Sequence, residues 1–288
     1  MLFDFGDSGE IGSISPEDFV TFRDFLSERT GIKIRDNRVD YLEYRLKERM
    51  LVNSITDYKE YYYKVKYDSE GPNSELQELI NLITVHETSF FRHPEQLETL
   101  RNVVMKRIID DKRKIYDNRL RIWSAVCSTG EEPLTLAMMI KEYFPELSKW
   151  NVSILASDIS TKALEKARTA VFKDNSFRNP LDSFKGRYFK KVGDNFEALD
   201  TIKSMVSYRN VNLNDIPSLN QYQGMDIILC RNVFIYFPDE VKHKIAEKFY
   251  ELLNRGGALI LGNAEVIDVK KIPFKLEFHR GGPVYLKL

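Results

Sequence analysis

Apolar residues recur at helical steps through the first third of the chain. Phe19, Phe22 and Leu26 follow at three- and four-residue intervals, and so do Val39, Leu42, Leu46 and Met50 beyond a break at Gly31. Ser15 before Pro16, with Glu17 and Asp18 in the first turn, marks a helix start. Breakers cluster at residues 68–73, after which Leu76, Leu79, Ile80 and Ile83 resume the helical period. A further helical stretch covers residues 96–111. These patterns predict a flexible tail over residues 1–15, an all-α domain over 16–84, and a linker with a connecting helix over 85–118.

Beyond residue 118 the period alternates. Strands are expected at residues 120–126, 152–156, 225–229 and 258–261, with helices at 134–144, 161–170 and 239–253. That order predicts an α/β domain over residues 119–288, a parallel sheet covered by helices on both faces. Within residues 187–213, aromatic and β-branched residues surround Gly193, Asp194 and Asn195, which predicts an inserted β-subdomain of two or three short antiparallel strands.

Composition narrows the function. The chain has 288 residues, 43% of them hydrophobic, enough for a substantial core. Lys plus Arg and Asp plus Glu balance at 43 each, so no overall field recruits nucleic acid or an anionic membrane. No basic-apolar leader occurs and no apolar run approaches the roughly 18 residues of a membrane span, so a cytoplasmic protein is expected. Cys127 and Cys230 lack metal-ligand spacing, so no metal site is expected and both thiols should be reduced.

Candidate chemistry gathers at the expected strand ends. Residues 123–133, W-S-A-V-C-S-T-G-E-E-P, read as a strand, a small-residue turn and a helix start, where Gly130 allows the backbone to approach a ligand. Asp158 ends the next strand, where an acid either accepts two ribose hydroxyls or caps the helix beginning at Ser160 and Thr161. Asn212 and Leu213, and Arg231 and Asn232, also end expected strands, and in a parallel sheet such ends share one rim.

Three stretches together resemble the CheR family of chemoreceptor glutamate methyltransferases. They are L-I-T-V-H-E-T-S-F-F-R-H at residues 82–93, the turn at 123–133, and C-R-N-V-F-I-Y-F-P at 230–238. The resemblance runs from about Pro16 to Leu288. It implies a Rossmann-like methyltransferase domain using S-adenosylmethionine (SAM) and leaving S-adenosylhomocysteine (SAH). Cofactor contacts carried onto matching positions are His86, Thr88, Arg92, Glu131, Asp158, Asn212, Leu213, Arg231 and Asn232. His86 departs from the asparagine usual in the family. Arg92 is further implied as the fork that orients the substrate carboxylate, and Tyr236 either faces the acceptor channel or packs in the core.

Arg38, Tyr41, Arg45 and Arg49 line one side of a helix whose other side carries Val39, Leu42 and Leu46. Charge stripes are commonly solvated surface, but the resemblance implies that Arg38, Arg45 and Arg49 bind the methylation region of receptors. The expected activity is therefore esterification of receptor glutamates by a monomeric cytoplasmic enzyme recruited to receptor arrays, without nucleic acid or membrane insertion. In the family resembled, members that bind a receptor's C-terminal peptide carry a longer, glycine-containing loop between the strands of this subdomain, so the resemblance, with the compact connection at residues 192–196, implies independence from a C-terminal pentapeptide tether. Alternatives are a non-enzymatic SAM- or SAH-binding module, a methyltransferase acting on another protein carboxylate, and a nicotinamide dehydrogenase.

Overall fold

The computed structural model describes residues 11–68, 71, 73–178 and 182–288. Two compact units divide at residue 85, Met1–Val85 and His86–Leu288.

Among its described residues the first unit holds the α-helices α1 (Pro16–Thr30), α2 (Val39–Val52), α3 (Tyr58–Tyr67) and α4 (Glu75–Ile83). Ser15 caps α1 by accepting the Asp18 N–H, and Gly31 ends it in a left-handed conformation with φ 76°. The periodic apolar positions meet as expected: Phe19, Phe22, Leu26, Leu42, Leu46, Met50, Leu79 and Ile83 form one core. Ile14 is buried in that core and Ile11 packs against it, so the part of the expected tail that is described belongs to the fold. The Gly- and Ser-rich composition there hid two apolar anchors; residues 1–10 lie outside the described residues.

In the second unit, α5 (Pro94–Thr99) and α6 (Lys106–Lys114) are joined by a wide π-helical stretch, Leu100–Met105. Then come β1 (Arg119–Ser124), α7 (Glu131–Tyr143), β2 (Asn151–Asp158), α8 (Thr161–Thr169), β3 (Val171–Lys173), α9 (Asp182–Tyr188), β4 (Phe189–Val192), β5 (Asn195–Ala198), α10 (Asp200–Lys203) and β6 (Val206–Asn210). The chain closes with β7 (Met225–Cys230), α11 (Asp239–Leu252), β8 (Leu253–Leu261), β9 (Lys275–His279) and β10 (Gly282–Leu286). The large sheet runs β6-β2-β1-β7-β8-β10-β9. Its first five strands are parallel, and β10 and β9 add an antiparallel edge that the hydrophobic pattern did not disclose.

The inserted subdomain differs from expectation in one strand. Residues 206–210 leave it and extend the large sheet, pairing in parallel with β2 from Ile154 and Val206 to Asp158 and Asn210. The third strand of the small sheet is β3, giving the order β3-β5-β4. A period-two pattern reads alike in a hairpin and at a parallel edge, so only the partner distinguishes them.

Register sets the functional rim. Ser124 aligns with Ala156 on one side and Leu229 on the other, and Asp158 with Asn210. The residues just past these positions therefore emerge together at the C-terminal edge of the parallel strands, where open α/β sheets bind ligands. Among the described residues no helix is long and apolar enough to cross a membrane.

Candidate active site

Residues 125–130 leave β1 and turn sharply into α7. Ser128 (φ 49°) and Gly130 (φ 97°) both adopt left-handed backbone. A Cβ on Gly130 would stand 3.0 Å from the Ala167 Cβ and 3.3 Å from the Tyr208 hydroxyl, so packing on α8 and β6 also requires glycine here. Pro133 occupies the third position of α7, still within the turn whose N–H groups need no intrahelical partner.

Asp158 is 3% exposed. Its Oδ2 accepts the Ser128 N–H at 2.8 Å, and its Oδ1 accepts the Ser160 N–H at 2.9 Å. The helix cap itself is Ser160, whose Oγ accepts the Ala163 N–H. Asp158 thus ties the turn after β1 to the turn after β2, and each oxygen keeps acceptor capacity for another donor. Burial pushes its carboxyl above the usual range, while the Ser160, Ser128 and Ile159 N–H groups and the charge of His86 oppose the shift. The fold has brought His86 and Asp158 together across 72 residues of chain, counting from 86 to 158.

Glu131, also 3% exposed, accepts Thr129 Oγ1 at 2.7 Å and Ser176 Oγ at 3.0 Å. Burial raises its carboxyl, with these hydroxyls pulling the other way. Among the described residues neither Glu131 nor Asp158 has a lysine or arginine paired with it. Nearby, the Ser128 Oγ is buried without a partner. Two buried acids with no lysine or arginine partner among the described residues, together with an orphaned hydroxyl, suit a ligand that brings a diol and positive charge, as SAM does.

Upstream, Phe90 is fully buried and packs on Phe172, Phe177 and Phe189 at centroid distances of 4.7–5.1 Å. Phe91 and His93 flank Arg92 with φ 51° and 59°, and the Phe91 N–H donates to Thr135 Oγ1. The aromatic anchor holds residues 86–93 against the unit, with Thr88 half-buried among them. Arg92 donates Nη1 to the Glu87 carbonyl at 2.7 Å, and among the described residues no carboxylate pairs with it. The His93 imidazole is kept below its ordinary range by burial and by the charges of Arg231 and Arg92.

Arg231 does something other than expected. Its guanidinium donates to Gln96 Oε1 at 2.6 Å, Glu132 Oε2 at 2.9 Å and the Arg92 carbonyl at 2.7 Å. Ser124 Oγ supports Glu132, and Gln96 donates onward to the Leu261 carbonyl. The side chain is held as a buried clamp between three protein acceptors. Asn232 follows in left-handed conformation, φ 63°. Asn212 is half-buried past β6, its Oδ1 accepting the Asn214 N–H, and Leu213 is buried. Tyr236 is 38% exposed, which removes it from the core.

Sequence reading missed Gln96, Glu132 and Glu265. Glu132 adjoins a recognised motif residue, but nothing local marks Gln96 or Glu265. Cys127 and Cys230 are free, buried thiols whose ionisation is pushed up by burial, as expected of inert core cysteines.

Two family descriptions span most of the chain. The CheR methyltransferase all-alpha domain matches residues 17–84, and the CheR methyltransferase SAM binding domain matches residues 86–281. The chain belongs to the CheR family. Chemotaxis protein methyltransferase 2 of Vibrio cholerae is 34% identical over 95% of this chain and 94% of its own length. A chemotaxis protein methyltransferase of Borreliella burgdorferi is 33% identical, covering 84% and 85%, and one from Listeria monocytogenes is 30% identical, covering 87% and 90%. This CheR protein is a SAM-dependent methyltransferase of the chemotaxis type, with a Rossmann-like domain and an all-α domain.

On the all-α unit, Arg49 must be withdrawn from the receptor-binding set. Its side chain is 14% exposed and makes a two-pronged contact with Glu75, Nε to Oε1 at 2.9 Å and Nη2 to Oε2 at 2.7 Å, while Tyr61 donates to the same carboxylate. Burial pushes Glu75 up, but Arg49 and Tyr61 outweigh it and hold the carboxyl below its usual range. Arg38 is exposed beside Tyr41, and the Arg45 guanidinium lies over Tyr41 and Tyr44 at 5.4 and 5.5 Å.

Proposed function

We propose that this enzyme methylates γ-carboxylates of glutamates in the cytoplasmic methylation region of chemoreceptors, giving methyl esters. The observation that carries this reading is the Arg92 guanidinium, half-buried, without a carboxylate partner among the described residues and held by the Glu87 carbonyl. Such a fork grips a carboxylate in one plane and aims one oxygen. SAM supplies an electrophilic methyl on a sulfonium. The chain's own tasks are then binding and orientation: Asp158 and the Ser128 turn would hold the ribose, Glu131 would offset the ligand's positive charge, and His86, Thr88, Asn212, Leu213 and Asn232 would complete the wall. A glutamate side chain has a pKa near 4.3 and is ionised at neutral pH, so no residue need act as general base. Cation and anion cancel as the methyl moves, so a water-poor site and fixed geometry favour the reaction. Tyr236 stands at the acceptor side.

The test uses receptor fragments and isotopically labelled SAM. Label should appear as alkali-labile ester and disappear when the acceptor glutamates are changed to glutamine; alkali-stable label would overturn the carboxylate assignment. Arg92→Lys is expected to lower kcat by about tenfold or more with little change in thermal stability, because an ammonium cannot reproduce the fork. A wild-type turnover number would confine Arg92 to a structural role.

Recruitment is proposed to use the side of α2 that carries the exposed Tyr44 and the half-buried Tyr41 and Arg45, with the exposed Arg38 just before the helix, facing acid-rich receptor helices. It needs no C-terminal peptide tether. In support, β4 and β5 are joined through only Gly193 and Asp194, leaving no loop to grip an added strand. Adding a receptor's C-terminal pentapeptide to a substrate fragment should leave the rate unchanged, whereas a clear gain would show an effective-concentration advantage from tethering.

A further inference from the structure

Glu265 lies outside every motif, on the segment after β8, with only 3% exposure. Its Oε2 accepts the backbone N–H of Asn232 at 2.8 Å and of Gly262 at 2.7 Å, and its Oε1 accepts the Ile235 N–H at 3.2 Å. Among the described residues no lysine or arginine pairs with it. The fit is close: a Cβ on Gly262 would stand 2.7 Å from Glu265 Oε2 and 3.0 Å from the Asn232 nitrogen. Asn232 pays a backbone cost for its left-handed φ of 63°, and a charged acceptor on its own N–H offsets that cost. Beyond the brace, Ile235 and Tyr236 are exposed at 54% and 38%.

We propose that Glu265 is a positioning residue for methyl transfer. By gathering three N–H groups from two segments, it presets the loop at residues 231–236, so that Asn232 and Tyr236 meet cofactor and acceptor without rearrangement. This rests on the reading of those two residues as parts of the site. Equilibrium binding is carried mainly elsewhere on the rim, at Asp158 ending β2 and Glu131 opening α7, whereas transfer depends on sub-ångström alignment. Loss of the brace should therefore separate turnover from binding.

The test compares the wild-type protein with Glu265→Gln, which keeps the shape but sets an amide NH2 against one N–H group. Glu265→Asp carries the same reading if the glutamine variant fails to fold. Amide exchange should quicken at residues 231–236 and Gly262. Per SAH-titrated site, kcat on a receptor fragment should fall about tenfold or more while SAH affinity stays within about threefold. Unchanged exchange in that loop, or a kcat per site within about twofold of wild type, would overturn the inference. If the wild-type protein does not methylate the fragment, the glutamate assignment fails, and Glu265 is judged on the exchange result alone.

Discussion

Asp158→Ala is expected to weaken SAH binding by roughly 10- to 100-fold, equivalent to about 1.4–2.7 kcal/mol, and to lower the melting temperature of the ligand-free protein as well. The first effect follows from losing a charged acceptor for the ribose hydroxyls. The second follows from the structure: Ser128 and Ser160 would each be left with a buried N–H lacking its acceptor, at about 1–3 kcal/mol apiece. For a unit of this size that corresponds to a drop of at least several degrees. Calorimetric titration with SAH and a thermal scan without ligand check the two halves separately. Unaltered SAH affinity would show the ribose to bind elsewhere, and an unaltered melting temperature would show the turn to be held by other bonds.

The largest loss of stability should come from Arg231→Ala. The guanidinium makes three bonds while 4% exposed, and its removal strands the Glu132 carboxylate, which is 12% exposed. Breaking a buried pair from one side typically costs about 3–5 kcal/mol, which for this unit implies a melting temperature lower by roughly 10 °C or more. Arg231→Lys should recover part of this, because an ammonium can reach Glu132 but cannot span all three acceptors. Weakened SAH binding at a wild-type melting temperature would instead return the guanidinium to the cofactor's contacts. The same replacement frees the Arg92 carbonyl, so the turnover of any folded Arg231 variant should suffer with that of Arg92.

The sequence by itself determined whatever depends on neighbours in the chain. Helical periods placed Phe22, Leu42 and Leu79 in one core because each helix turns its own apolar face inward. The alternation beyond residue 118 set the α/β class, and the motifs marked the stretches at residues 86–93, 123–133 and 230–238 that meet at the rim. The tertiary structure decided which partners the polar groups found. Arg49 and Arg92 are the same residue type, yet Arg49 meets Glu75 and is used up, while Arg92 meets a carbonyl and keeps its charge available. Arg231 finds Gln96 across 135 residues, and Glu265 reaches Asn232 across 33, because β7 and β8 are neighbours in the sheet. Likewise residues 206–210 carry a pattern suited to a hairpin, but β2 offered an open parallel edge. Hydrophobic burial is written in local spacing because it is non-directional. Hydrogen bonds and ion pairs need a particular atom at a particular place, and topology supplies that place only after the strands have been ordered.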